Sequence, residues 1–74
     1  MKVYIANLLD RTASPPTITM SAAATDSSYT AQRRLEVAYL ASCEGILSEP
    51  ELYWEEIVDG NSDDFILQHT EVEV

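Results

Sequence analysis

The sequence predicts a single α+β domain with the element order β-β-α-α-β, a three-stranded and mainly antiparallel sheet with one main helix and one short helix packed on one face. Three observations lead there. Two stretches with strand-like alternation open the chain, two helix-compatible stretches with stop signals follow, and a β-branched run closes it. At 74 residues the chain makes one domain, 1–74. Its core must be thin, because so short a chain removes only about 60% of its unfolded surface from water.

Met1 to Leu9 is rich in β-branched and aromatic residues. Val3, Ile5 and Leu9 fall on one side, and Tyr4, Ala6 and Leu8 on the other. A strand apolar on both faces belongs in the middle of its sheet. Asp10 to Pro16, DRTASPP, is a polar turn ending in two prolines that cannot continue a ladder. Ile18, Met20 and Ala22 then alternate with Thr17, Thr19 and Ser21, the period-2 pattern of a half-buried strand. The two strands are expected to form a hairpin.

Asp26, Ser27 and Ser28 are candidate N-caps for a helix running from Tyr29 to Glu44, and Gly45 is the expected left-handed C-cap. Ala31, Leu35, Ala38, Tyr39 and Ser42 form the stripe expected to lie on the sheet. Val37, Leu40 and Ala41 make a second apolar side, which the next segment is expected to cover. Ser48 and Glu51 have capping-box spacing, with Pro50 in the first turn, so a short helix is predicted from Glu49 to about Val58. The competing reading of LYWEEIV is a strand leading into an Asp59-Gly60 hairpin turn. Phe65 to Val74 reads as the last strand, with Ile66, Val72 and Val74 on one side and Phe65, Leu67, His69, Glu71 and Glu73 on the other.

Charge is distributed unevenly. The net charge is −9, yet residues 1–34 hold every basic side chain, Lys2, Arg11, Arg33 and Arg34, against only Asp10 and Asp26. Residues 35–74 hold none and carry eleven carboxylates. A solvated face that keeps a small protein dissolved accounts for charge runs in general. The asymmetry favours a partner.

Several functions find no support in the residues. A catalytic centre needs a nucleophile, a base and an orienting group in a pocket, whereas this thin scaffold has one cysteine, one histidine and seven serines. His69 reads as a rim residue and Cys43 as a buried, inert thiol, so no catalytic residue is assigned and the chain is expected not to be an enzyme. Asp59, Asn61 and Asp63 match the first positions of an EF-hand loop, but Asp64 stands where glycine is needed and Thr70 where the glutamate belongs. No metal and no cofactor are expected. With two glycines and no basic patch, direct nucleic-acid binding is not expected either. The apolar stretch Leu35 to Leu47 is too short and too charged to span a bilayer. The opening segment is broken by Asn7 and Asp10 before it could serve as a signal peptide. A single cysteine fits a reducing compartment, so a cytoplasmic protein is expected.

The acidic constellation fits a binding surface. On a helix, Glu51, Glu55 and Asp59 recur at i, i+4 and i+8 with Glu56 beside them, about 5 to 6 Å apart between Cβ atoms. Glu49, Asp63 and Asp64 flank this row, and Tyr53 and Trp54 are interface-type anchors, though either could belong to the core. Such a row can crudely stand in for DNA phosphates, which recur every 3.4 Å or so of duplex axis on each strand.

In its length, its acid-only second half and its opening VYIANLL strand, the chain resembles small acidic accessory proteins of phages and mobile elements, of the anti-CRISPR or DNA-mimic inhibitor type. The resemblance covers length, charge and architecture, and brings no family residue to a numbered position. It implies an inhibitor that occupies the nucleic-acid groove of a host antiviral complex such as a CRISPR effector, in the cytoplasm of a bacterial host. The partner is then a protein with a basic nucleic-acid-binding surface, and the inhibitor a monomer or weak homodimer. The competing expectation is a structural or regulatory protein that docks or dimerises through the apolar Val37, Leu40 helix face and the aromatic pair Tyr53 and Trp54.

Overall fold

The computed structural model describes all 74 residues. Strands β1 (Lys2–Asp10), β2 (Thr17–Ala24) and β3 (Phe65–Glu73) flank helices α1 (Ser28–Cys43) and α2 (Pro50–Asp59) in the order β-β-α-α-β. The sheet order is β2-β1-β3 with both pairings antiparallel. The strand apolar on both sides is therefore the central one.

The side chains of Ala6 and Leu8 on β1, with Ala24 on β2, meet Ala31, Leu35, Tyr39 and Cys43 of α1 and Trp54 and Ile57 of α2 to form the core. No helix is long and apolar enough to cross a membrane. Arg33 pairs with Glu36 on α1 at 2.8 Å. Ser27 is the N-cap of α1, its hydroxyl accepting from Thr30 N–H at 3.1 Å. Glu44 ends the helix, and Gly45 follows at a φ of +77°.

Four local expectations are corrected. The hairpin is not a plain alternation. Leu8 pairs with Met20 but Leu9 pairs with Ile18, so Thr19 is an extra residue in the β2 ladder. This bulge turns Ile18 away from the helices, leaving it 59% exposed, while Met20 and Ala22 pack on the core. Secondly, the buried stripe of α1 is Ala31, Leu35, Tyr39 and Cys43, while Ala38 and Ser42 are exposed. Burial follows the side on which α2 lies rather than the β2 edge, beyond which there is no further element.

Thirdly, the outer side of α1 is not covered. Leu40 is half-buried, but Val37 is 65% exposed and Ala41 is exposed as well. Helices sharing one sheet face sit beside each other, so α2 reaches the flank of α1 and never its top. Finally, Ser48 makes no capping box. The N-cap of α2 is Glu49, which makes no side-chain cap hydrogen bond, and the helix starts on Pro50.

Candidate acidic binding surface

The segment 50–59 is helical, and local chemistry accounts for both of its ends. Pro50 has its φ preset for a first turn and no N–H to strand there. Gly60 adopts a left-handed φ of 79° and donates its N–H to the carbonyls of Glu56 and Ile57, ending the helix. A side chain would fit the space around Gly60, so the backbone conformation is what asks for glycine.

Trp54 and Ile57 point into the core. Trp54 is 5% exposed, its ring centroid 5.5 Å from that of Tyr39, which meets Phe65 edge-on at 6.2 Å. Trp54 is thus a core residue rather than an interface anchor. Tyr53, one position earlier and a quarter-turn round the helix, is 50% exposed and remains available.

With Trp54 and Ile57 inward, helical periodicity sends Glu51, Glu55 and Asp59 to solvent on successive turns, with Glu56 on their flank and Leu52 between. Glu49 stands just before the helix, and Asp63 and Asp64 follow in the loop to β3. All seven carboxylates are exposed. The ion pairs of the molecule lie elsewhere: the N-terminal amine with Glu73, Lys2 with Glu71 and Arg33 with Glu36. None of the seven has a cationic partner. Asp59 also stands at the negative end of the helix dipole, and no basic residue occupies the last turn to offset it.

The sequence reading did not anticipate the part played by Ser62 and Arg11. Ser62 is buried, and its hydroxyl accepts from the backbone N–H groups of Asp64 and Phe65 at 3.3 and 3.2 Å. Arg11 donates from Nη1 to the Ser62 carbonyl at 2.9 Å and from its backbone N–H to the Asp64 carbonyl at 2.8 Å. Together they hold the loop bearing Asp63 and Asp64. The serine ahead of a strand was a readable turn signal. Arg11 lies some fifty residues away, and only the β1–β3 pairing brings it there.

Two surface hollows lie beside the core. One, of about 410 Å³, is lined largely by Met20, Tyr39, Cys43, Ile46, Leu47 and Phe65. The other, of about 440 Å³, includes Arg11, Ile57, Phe65 and His69. His69 shares a 2.9 Å hydrogen bond with Gln32. Cys43 and His69 line different hollows, so the thiol has no imidazole beside it. No three His, Cys, Asp or Glu side chains are grouped to hold a metal ion.

Fold and surface together define a class: a small α+β domain with helices on one face of its sheet and an unpaired acidic surface borne by the second helix. No protein-family model, curated protein or solved structure matches the chain.

Proposed function

We propose that the chain is a stoichiometric protein inhibitor, of the anti-CRISPR type, whose α2 surface occupies the basic nucleic-acid-binding groove of a bacterial antiviral complex. The observation that carries this reading is the set of seven exposed carboxylates on α2 and its flanks, none of them in an ion pair. Like charges one turn apart destabilise a helix. A groove lined by Lys and Arg would relieve that repulsion on binding. The helical rise separates Glu51, Glu55 and Asp59 by about 6 Å per step. Phosphates recur every 3.4 Å or so of duplex axis on each strand, so the row presents negative charge on a comparable spacing. Tyr53 and Leu52 add apolar contact beside the charges. No turnover is involved.

The test is a pull-down from bacterial lysate, washed at low and then high salt, with a Glu51→Lys, Glu55→Lys, Asp59→Lys bait in parallel. The wild-type bait should retain a nucleic-acid-binding defence complex that high salt releases and the triple variant never captures. One equivalent should then block DNA binding by that complex. Capture that survives charge reversal, or a complex whose DNA affinity is unchanged, would overturn the reading.

A second reading rests on the exposure of Val37 and Ala41 along the outer side of α1. A structural or regulatory protein docking through that side would hold its partner at high salt, since apolar contacts are not screened.

A further inference from the structure

The sheet has a second face that no helix covers. On β1 it presents Val3, Ile5, Asn7 and Leu9, which alternate with the core residues Ala6 and Leu8. Pairing places Val72, Thr70, Gln68 and Ile66 beside them on β3, and Ala23, Ser21 and Ile18 on β2. None of these positions is charged, although 23% of the chain is. The four charged strand residues, Lys2, Asp10, Glu71 and Glu73, all share the helix-side register with Ala6 and Leu8. An antiparallel sheet open to water normally alternates polar residues outward. Here the outward set includes Ile18 at 59% and Val72 at 43% exposure, with Ile5, Leu9 and Ile66 half-buried.

At the centre of this face Asn7 is 5% exposed. Its Oδ1 accepts from the Ser21 hydroxyl at 2.7 Å, and its Nδ2 donates to Thr70 Oγ1 at 3.4 Å. One carboxamide thereby bridges all three strands. Because its acceptor and a donor are satisfied within the sheet, the Asn7 carboxamide can lose its water without being stranded, while Gln68 beside it would find its partner across the interface.

We propose that this face is a homodimer interface, with a second copy of the chain packed sheet to sheet across a two-fold axis. Charge selects the occupant. Two chains of net charge −9 repel wherever their carboxylates meet, and this is the face on which neither presents one. It offers no attraction to a basic partner. Size agrees. Strands of nine, eight and nine residues spaced about 4.8 Å apart give a footprint of roughly 30 by 14 Å per copy. Two such footprints come to about 840 Å², below the standard specific interface and in the range of weak, transient ones, which suits a reversible dimer rather than an obligate one. Twisted sheets pack about 10 Å apart and within some 30° of alignment, and a two-fold needs the same patch on both copies. The product is a four-layer sandwich with helices outside, so two α2 surfaces face away from each other.

Sedimentation equilibrium between about 1 μM and 1 mM tests this, with Ile18→Glu and Val72→Glu as interface variants and Val37→Glu as the control on α1. Wild type and Val37→Glu should approach twice the 8.2 kDa chain mass. The two interface variants should stay at 8.2 kDa with an unchanged circular dichroism spectrum. A wild type that stays monomeric throughout, or a dimer broken only by Val37→Glu, would overturn the proposal. Should an interface variant unfold, dilution of the labelled wild type decides by NMR. Shifts centred on Ile5, Asn7, Ser21 and Thr70 support the sheet face; shifts confined to α1 or to one edge strand refute it. The acidic surface takes no part in this measurement, so the dimer can fail while the inhibitor reading stands, and the reverse.

Discussion

The indole of Trp54 lies against the ring of Tyr39, centroids 5.5 Å apart and planes inclined by 40°. The contact joins α2 to α1, and with Ile57 it sets the rotation of α2, so that the carboxylates of the same helix face water. The outward orientation of the acidic row on α2 therefore depends on what the helix buries on its other side.

Trp54→Ala should cost about 3 to 5 kcal/mol, as for other large-to-small core changes. A domain of this size holds little more than that in total. Urea unfolding followed by circular dichroism is expected to show a largely unfolded chain at room temperature, whereas Tyr53→Ala should shift the midpoint only slightly.

Replacing the acidic row by Glu51→Gln, Glu55→Gln and Asp59→Asn should make the protein more stable while removing the surface proposed to bind. Two like-charge pairs are relieved, worth roughly 0.5 to 1 kcal/mol together. For a domain of this length, calorimetry should show a rise in Tm of a few degrees. Added salt should raise the Tm of the wild type and move the variant less, because screening then has less repulsion to remove.

Ser27 and Ser48, each a candidate helix cap in the sequence, should behave differently. Ser27→Ala removes the hydroxyl that accepts from Thr30 N–H and is expected to cost about 1 kcal/mol. Ser48→Ala removes no cap and should leave the urea midpoint unchanged.

Stability should fall at both ends of the pH scale for identifiable reasons. The side-chain hydroxyl of Thr12 holds the Asp10 carboxyl below its ordinary 3.8. That of Thr30 does the same for Asp26. A lowered folded pKa favours the fold above the ordinary value, so this contribution is present near neutrality and disappears as pH drops through the folded values. Burial, aided by the neighbouring Cys43, pushes the Tyr39 hydroxyl from 10.0 up to about 12. Here the sign is opposite: the contribution is complete below pH 10 and is lost as pH rises toward about 12. Denaturant midpoints measured across that alkaline interval should fall for the wild type and more shallowly for Tyr39→Phe.

Ser21→Ala should leave the Asn7 acceptor without its 2.7 Å donor. The expected loss is about 1 to 2 kcal/mol in urea unfolding. Thr70→Ala should cost less, since its bond to Asn7 is longer at 3.4 Å.

Much of the fold was legible because it follows local rules. The order of elements, the central place of β1, the helix at Pro50–Asp59 and the sidedness of β3 all follow from periodicity, proline and glycine. The outward row of Glu51, Glu55 and Asp59 was legible on the same grounds, since helical spacing decides it once the segment is a helix. Where two local rules competed, tertiary contacts chose. LYWEEIV could have been a strand, and the placement of Trp54 against Tyr39 favours the helix.

By itself, then, the sequence determined the elements, their order and the separation of charge between the two parts of the chain, because these depend on neighbours within a turn or a pleat. The tertiary structure alone decided that Trp54 is core, that Ile18 turns outward at a bulge, that Arg11 steadies the loop of Asp63 and Asp64, and that one sheet face stays uncharged and bare. Each of these is a matter of which distant strand or helix lies opposite, and pairing register and helix placement are settled by packing across the whole domain.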